Sequence, residues 1–73
     1  MENEIEKVIA CFPPVFGLRG FPGARFRLSG EASFYDAGGV LRLYTQRESA
    51  DGRWSSFASC TAHELCSQVR ALA

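Results

Sequence analysis

The sequence has no net charge, no long apolar run and too few cysteines for a disulfide framework. Eight basic residues balance eight acidic ones, so the whole chain lacks the attraction to phosphate that drives non-specific nucleic-acid binding. No stretch approaches the roughly 20 apolar residues of a membrane helix, and the first residues, MENEIEK, lack the cationic start of a signal peptide. Three cysteines cannot all pair within one chain. We therefore expect a cytoplasmic protein with no membrane association.

Motifs of the common enzyme and cofactor classes are also missing, including GxGxxG, the Walker loop, HExxH and GxSxG. The single suggestive pattern is the three-residue spacing of Cys60, His63 and Cys66. Structural zinc sites usually combine four ligands in paired motifs, which this spacing does not match even with Cys11 as a fourth ligand. A thiol nucleophile needs a base and a third, orienting residue, and none accompanies His63 and Cys66. We predict no metal, no cofactor and no enzymatic activity.

What is present is the composition of one small folded domain. The chain has 73 residues, of which 47% are hydrophobic and 22% charged. A chain of this length buries a single modest core. Function must then reside on the surface of that domain.

Helical periodicity occurs near both ends. The first helix is predicted over residues 4–12, with Asn3 as its N-cap, Glu6 as the capping partner and two prolines after it. The second is predicted over residues 62–72, where Thr61 and Glu64 form a capping box. Its apolar arc comprises Ala62, Leu65, Cys66, Val69 and Leu72. Between the helices, residues 13–23 form a loop rich in proline and glycine, with Phe16 and Phe21 expected to anchor it to the core; alternatively, its arginine flanked by aromatics forms a binding loop.

Three alternating segments, residues 24–35, 40–48 and 53–59, predict antiparallel strands joined by turns at residues 36–39 and 49–52. The predicted fold is α+β, a two-layer α-β-β-β-α domain in which both helices pack on one face of a three-stranded meander. Four-residue loops set Phe34 opposite Leu41 and Arg27 opposite Glu48. The predicted core side comprises Phe26, Leu28, Gly30, Ala32, Phe34, Leu41, Leu43, Thr45, Trp54, Ser56, Ala58 and Cys60.

The opposite, outer side of the sheet is the candidate site. Arginine and tyrosine dominate interface hot spots. The predicted partner-binding residues are Arg25, Arg27, Arg42, Tyr44, Arg53 and Phe57, near Tyr35, with Glu31 and Glu48 as counter-charges. Three interpretations remain: a protein-recognition face, a nucleic-acid platform on which bases stack, or an ordinary solvated sheet face.

Two further surfaces remain open. A meander leaves two edge strands, which can pair with a partner strand or a second copy, so a monomer and a homodimer are both possible. Alternatively, acidic residues at the hairpin ends imitate phosphates toward a basic partner. These are Asp36, Glu48 and Asp51.

The order of elements, and the final segment TAHELCSQVRALA, resemble the double-stranded RNA-binding domain in topology. That family's basic start to the last helix is replaced here by Thr61, Ala62, His63 and Glu64, so the resemblance does not imply RNA binding. The chain, with its small size, its bias to arginine and the segment LYTQRESADGRWSSFASCTAHEL, also resembles the small phage and mobile-element inhibitors of type I CRISPR systems, the anti-CRISPR proteins. That resemblance implies stoichiometric blocking of a Cas subunit in the cytoplasm of a bacterial host, and no family residue can be transferred.

Overall fold

The computed structural model describes residues 4–72, and Asn3, the predicted N-cap, lies outside this range. The α+β fold and the antiparallel meander are confirmed. The chain forms α1 (Glu4–Ile9), β1 (Gly17–Leu18), β2 (Phe26–Tyr35), β3 (Leu41–Glu48), β4 (Trp54–Cys60), α2 (Ala62–Gln68) and β5 (Val69–Arg70). Strands β2, β3 and β4 make one sheet in that order, and β1 pairs with β5 in a second, two-stranded sheet.

The core lies on one face of the three-stranded sheet. Its buried apolar residues are Phe16, Leu18, Ala24, Phe26, Leu43 and Leu65. From α1, Val8 and Ile9 pack against this cluster, and Ala62 does so from α2. Both helices therefore cover the same face, which leaves the opposite face without a helical layer among the described residues.

The first helix is shorter than its apolar stripe predicts. It ends at Ile9; the Ala10 N–H still donates to the carbonyl four residues back, but the N–H groups of Cys11 and Phe12 donate to carbonyls only three residues back. The last turn thus tightens before the prolines, as is common at helix ends. No helix within residues 4–72 combines the length and the apolar character needed to cross a membrane.

The second helix also ends early, at Gln68, and the prediction that it continues to residue 72 is wrong. Val69 is extended and pairs with Leu18, while Arg70 pairs with Gly17. The Arg19 N–H donates to the Gln68 carbonyl at 2.9 Å. Pairing with the loop buries Leu18 and part of Val69, and this tertiary gain outweighs the small helix propensity of the segment.

The Pro/Gly loop is accordingly not free of secondary structure. Phe16 is fully buried, as predicted, and exchanges two backbone hydrogen bonds with Phe26, at 2.9 and 2.8 Å. Phe21 is 37% exposed and contacts the core through an edge-to-face arrangement with Phe26. The loop thereby covers one end of the β2 edge.

Both predicted hairpin turns are present, but each loop has five residues and not the predicted four, since Tyr35 pairs with Leu41 and Glu48 with Trp54. The Asp36 side chain accepts from the N–H groups of Gly38 and Val40, and Gly39 follows with φ of +79°. In the second turn the Ser49 N–H donates to the Arg53 carbonyl at 2.7 Å, and Gly52 has φ of +83°. Glycine is required at these two positions because L side chains rarely adopt positive φ.

The predicted register of β2 against β3 is wrong because the first loop has five residues, with Tyr35 opposite Leu41, and because β2 carries a large bulge. Ser29 lies opposite Tyr44 but Phe34 lies opposite Arg42, so residues 30–33 face Leu43 alone. Three extra residues reverse the inside-outside alternation beyond the bulge. Phe34, predicted to be core, is consequently 44% exposed, and Ser33 is buried.

The buried Ser33 hydroxyl stabilises this bulge. It accepts from the Tyr44 N–H at 3.0 Å and donates to the Ser29 carbonyl at 2.6 Å. The hydroxyl thus joins two backbone groups that the interrupted ladder would otherwise leave unpaired.

A second bulge interrupts β4. Thr45 lies opposite Ala58 and Gln46 opposite Ser56, so Phe57 is the extra residue. The buried Thr45 hydroxyl donates to the Ala58 carbonyl at 2.8 Å and accepts from its N–H at 3.3 Å. The bulge reverses the alternation from residue 57 back to residue 53. The predicted core-side placement of Trp54 and Ser56 is therefore wrong.

Candidate functional site

The uncovered side of the sheet, here called the outer face, differs in membership from its prediction. The strand register places eleven residues on this face: Arg25, Arg27, Ser29, Phe34, Arg42, Tyr44, Gln46, Glu48, Trp54, Ser56 and Ser59. Of the predicted site residues, Arg25, Arg27, Arg42 and Tyr44 belong to this face. The two bulges add Phe34 and Trp54 to it.

Two predicted members do not belong to the outer face. Phe57 lies on the core side, with its ring centroid 5.1 Å from that of Phe26 and 5.2 Å from that of Phe21. Arg53 lies in the turn before β4, 88% exposed, with Nε 3.4 Å from Asp51 Oδ2. The bulge at Phe57 turns that ring to the core side. Arg53 lies in the turn because Glu48 pairs with Trp54, which makes the second loop one residue longer than predicted.

Tyr35 also leaves the predicted outer face. It pairs with Leu41, beyond the bulge in β2, and its hydroxyl donates to Glu4 Oε2 at 3.1 Å. Partial desolvation, followed by the hydrogen bond and repulsion from Glu4, raises the pKa of the Tyr35 hydroxyl. This tyrosine therefore links the sheet to α1.

A stacked row across all three strands forms one end of the outer face. Arg27 Nε on β2 donates to Gln46 Oε1 on β3 at 2.8 Å. The Arg27 guanidinium carbon lies 4.5 Å from the centroid of the Trp54 ring on β4. The guanidinium is thus held flat against an aromatic ring, a cation–π arrangement, with hydrogen-bonding capacity left toward solvent.

The other arginines of the outer face have carboxylate partners. Arg25 Nη1 lies 3.2 Å from Glu48 Oε1. Arg42 lies 3.5 Å from Asp36 Oδ2 and 3.5 Å from Glu64 Oε1. Among the outer-face arginines that the structure describes, Arg27 is the one with no carboxylate in ion-pair contact. The face is therefore weakly charged, with one available cation beside three aromatic rings.

The alternative acidic site is divided between separate ion pairs. Asp36 pairs with Arg42, Glu48 with Arg25, and Asp51 with the turn arginine. The Val40 N–H holds the pKa of Asp36 below its usual range, helped by the N–H of Gly38 and by Arg42. The Ser49 hydroxyl does the same for Asp51. These carboxylates are structural acceptors within the hairpin ends, which reduces their availability to a basic partner.

The Cys/His segment has the expected capping box. The Thr61 N–H donates to Glu64 Oε1 at 2.9 Å, and the Glu64 N–H donates to Thr61 Oγ1 at 3.1 Å. The backbone N–H of Thr61, and to a smaller extent its side chain, holds the pKa of the Glu64 carboxyl below its usual range. Thr61, which follows Cys60, and Glu64, which follows His63, thus serve as the capping residues of α2.

The three cysteines are free thiols that differ in exposure. Cys11 and Cys66 are exposed, so the prediction that Cys66 joins the core is wrong: α2 points Leu65 inward and its neighbour outward. Burial, then repulsion from Glu64, raises the pKa of the Cys60 thiol, with Arg42 acting in the opposite sense. A raised pKa disfavours the reactive thiolate. Within residues 4–72 no group of three or more His, Cys, Asp or Glu side chains converges to hold a metal ion.

Sequence reasoning missed Trp54, Phe34 and Gln46. Alternation alone assigns the two aromatics to the core, because it cannot detect an inserted residue. For the bulge in β2 the sequence does carry a signal, because a glycine within a strand pattern, here Gly30, commonly marks a bulge. Strand β4 contains no glycine, so its bulge has no such signal.

No family model matches this chain, and comparisons with curated proteins and with solved structures find no match. The function is therefore argued from the geometry of the outer face.

Proposed function

We propose that this protein is a non-enzymatic binding protein that engages a protein partner through its outer face. The observation that carries the proposal is the placement of Phe34, Tyr44 and Trp54 on the side of the sheet that neither helix covers. Tryptophan, tyrosine and arginine are the residues that most often dominate binding energy at protein interfaces.

The Arg27 row supports the proposal because it is ordered before any partner arrives. Gln46 and Trp54 hold the guanidinium in place. A side chain that is already ordered loses little conformational entropy on binding, so more of its interaction energy contributes to affinity. A partner carboxylate facing this guanidinium would give a directional, bidentate contact.

The resemblance to anti-CRISPR proteins supplies the class of partner. On that basis we propose that the outer face covers a surface of a Cas subunit in a type I effector complex, in the cytoplasm of a bacterial host. Inhibition would be stoichiometric, because a covered surface is no longer available to DNA or to another subunit.

A second candidate function is nucleic-acid binding. Three aromatic rings on an open sheet beside arginines can stack bases. The ion pairs of Arg25 and Arg42 weigh against it, since those cations are already engaged. Nucleic-acid binding would show affinity that falls steeply with salt as counterions are released.

The test is affinity capture of the tagged protein from lysate of a bacterium that carries a type I CRISPR system, with and without nuclease. Stoichiometric Cas subunits that survive nuclease treatment are the expected result. Partners lost on nuclease treatment, or recovery of nucleic acid alone, would replace the proposal with the second candidate. Recovery of neither would contradict the proposed partner class.

A further inference from the structure

A groove between β4 and α2, on the core side, is distinct from the outer face. Its volume is about 370 Å³, and its lining includes Leu18, Arg19, Phe21, Phe57, Glu64 and Leu65. Two of its aromatic rings remain partly in solvent: Phe21 is 37% exposed and Phe57 is 38% exposed. The groove therefore presents apolar surface beside an edge of the sheet.

That edge is the unpaired edge of β4, which is the last strand in the order β2-β3-β4. Its sequence, WSSFASC, contains no charged residue and no proline. Edge strands are usually protected by such residues, so β4 has only its bulge to limit pairing. Both backbone groups of Ala58 point toward Thr45 on β3. Because successive residues of a strand face opposite sides, those of Ser59 point away from the sheet, where a further strand would bond.

The charges around the groove favour an acidic occupant. Arg19 lines it, and the Arg47 guanidinium carbon lies 5.7 Å from the Phe21 ring centroid. Neither arginine forms an ion pair with another residue in the described part of the chain. Glu64, a carboxylate in the lining, is already paired with Arg42. Arg19 in the lining and Arg47 beside Phe21 are thus two cations without a carboxylate partner, while the one glutamate of the lining shares Arg42 with Asp36.

We propose that an extended segment of a protein partner, with alternating acidic and apolar residues, adds to β4 as a fourth strand. Main-chain hydrogen bonds to β4 supply affinity. Apolar side chains enter the groove against Phe21 and Phe57, and carboxylates pair with Arg19 and Arg47, which is the usual division of roles in strand addition. The groove and the β4 edge are separate from the outer face, so substitutions can disrupt binding at one surface without affecting the other.

The proposal is tested with two fluorescein-labelled peptides, one of alternating glutamate and valine and one with lysine in place of each glutamate. Fluorescence anisotropy is expected to report saturable binding of the glutamate peptide alone. Arg19→Glu and Arg47→Glu are each expected to weaken it by at least about tenfold, since like charges opposed across an interface repel each other. Lys7→Glu, which makes the same charge change on an exposed position of α1, is expected to leave binding unchanged.

Ser59→Pro tests the edge itself. It removes an N–H that points away from β3, a position at which strand edges tolerate proline, and is expected to abolish peptide binding while circular dichroism remains that of the wild type. A folded Ser59→Pro variant that still binds would overturn the proposal, as would equal binding of the lysine peptide. Sedimentation equilibrium supplies the remaining outcome: a wild-type dimer that Ser59→Pro dissociates would show that a second copy occupies β4, and would also overturn it.

Discussion

The Arg27 guanidinium lies 4.5 Å from the centroid of the Trp54 ring, although the two residues belong to strands on opposite sides of β3. The contact exists because the bulge at Phe57 turns Trp54 to the outer face. A core-directed tryptophan would leave Arg27 with only Gln46. The stacked pair thus depends on the five-residue second loop, which sets Trp54 opposite Glu48, and on the inserted residue in β4.

A double-mutant cycle measures this contact. Arg27→Ala and Trp54→Ala are expected to couple by about 0.5–1 kcal/mol in the free energy of unfolding, the usual size of an exposed cation–π pair. Urea denaturation of the four proteins supplies the coupling energy. The cycle of Arg27→Ala with Arg53→Ala, residues with no mutual contact, should give a value near zero. Equal coupling in both cycles would disprove the stacking.

The bulge in β2 depends on one hydroxyl. Ser33→Ala removes the group that joins the Tyr44 N–H to the Ser29 carbonyl, and leaves a buried donor unpaired. We expect a loss of about 1–3 kcal/mol in the free energy of unfolding. Ser56→Ala, an exposed serine of β4, is the matched control and should change stability by less than about 0.5 kcal/mol. Similar effects of the two substitutions in denaturant titrations would show that the hydroxyl does not stabilise the bulge.

Phe34 and Phe57 each lie on the side of the sheet opposite to the one predicted from sequence, and this provides a third prediction. Phe57→Ala removes a ring packed on Phe26 and Phe21, and should destabilise the protein by about 2 kcal/mol. Phe34→Ala removes an outer-face ring and should cost less than about 1 kcal/mol. Thermal unfolding distinguishes the two variants. The opposite ranking would restore the strict alternation that the structure contradicts.

The capping box predicts an acid-sensitive contribution to stability. Hydrogen bonds from Thr61 hold the pKa of Glu64 below its ordinary value of 4.5. A carboxyl whose pKa is lowered by folding stabilises the protein above its unfolded-state pKa, and this contribution is lost as the pH falls below about 4.5 and through the folded-state value. Stability measured against pH should therefore fall less steeply in Glu64→Gln below this pH than in the wild type.

Thr61→Ala provides the check on that prediction, because it removes the hydroxyl while keeping the carboxyl. It should flatten the acid limb less than Glu64→Gln does, because the residue 61 backbone N–H, the main cause of the lowered pKa of Glu64, remains. It should also cost about 1 kcal/mol at neutral pH through the lost cap. An acid limb that both variants leave unchanged would assign the pH dependence to other carboxyls.

The parts of the fold that could be predicted from sequence are those encoded by short segments. The capping residues Thr61 and Glu64, the glycines at positive φ in the two hairpins and the alternation within each strand are all local signals. They suffice for the order of the central elements and for the choice of face on which the helices pack. They also place Arg27 and Tyr44 correctly on the outer face.

The remaining features depend on contacts between distant residues. Alternation cannot reveal an inserted residue, so Phe34, Trp54 and Phe57 were each assigned to the wrong side. The serine and threonine hydroxyls that hold the bulges look, in the sequence, like ordinary polar residues of a strand. The early end of α2 is decided by pairing of Val69 with Leu18, across about fifty residues of chain.

The most direct test of the proposed function is the affinity of the captured partner for three variants, measured by titration calorimetry. Tyr44→Ala/Trp54→Ala removes two outer-face rings and should weaken binding by at least about tenfold, because truncated hot-spot residues commonly cost 2 kcal/mol or more. Arg53→Ala, in the turn, should bind as the wild type does. Unchanged affinity in a folded Tyr44→Ala/Trp54→Ala variant would contradict the assignment of the outer face as the binding surface.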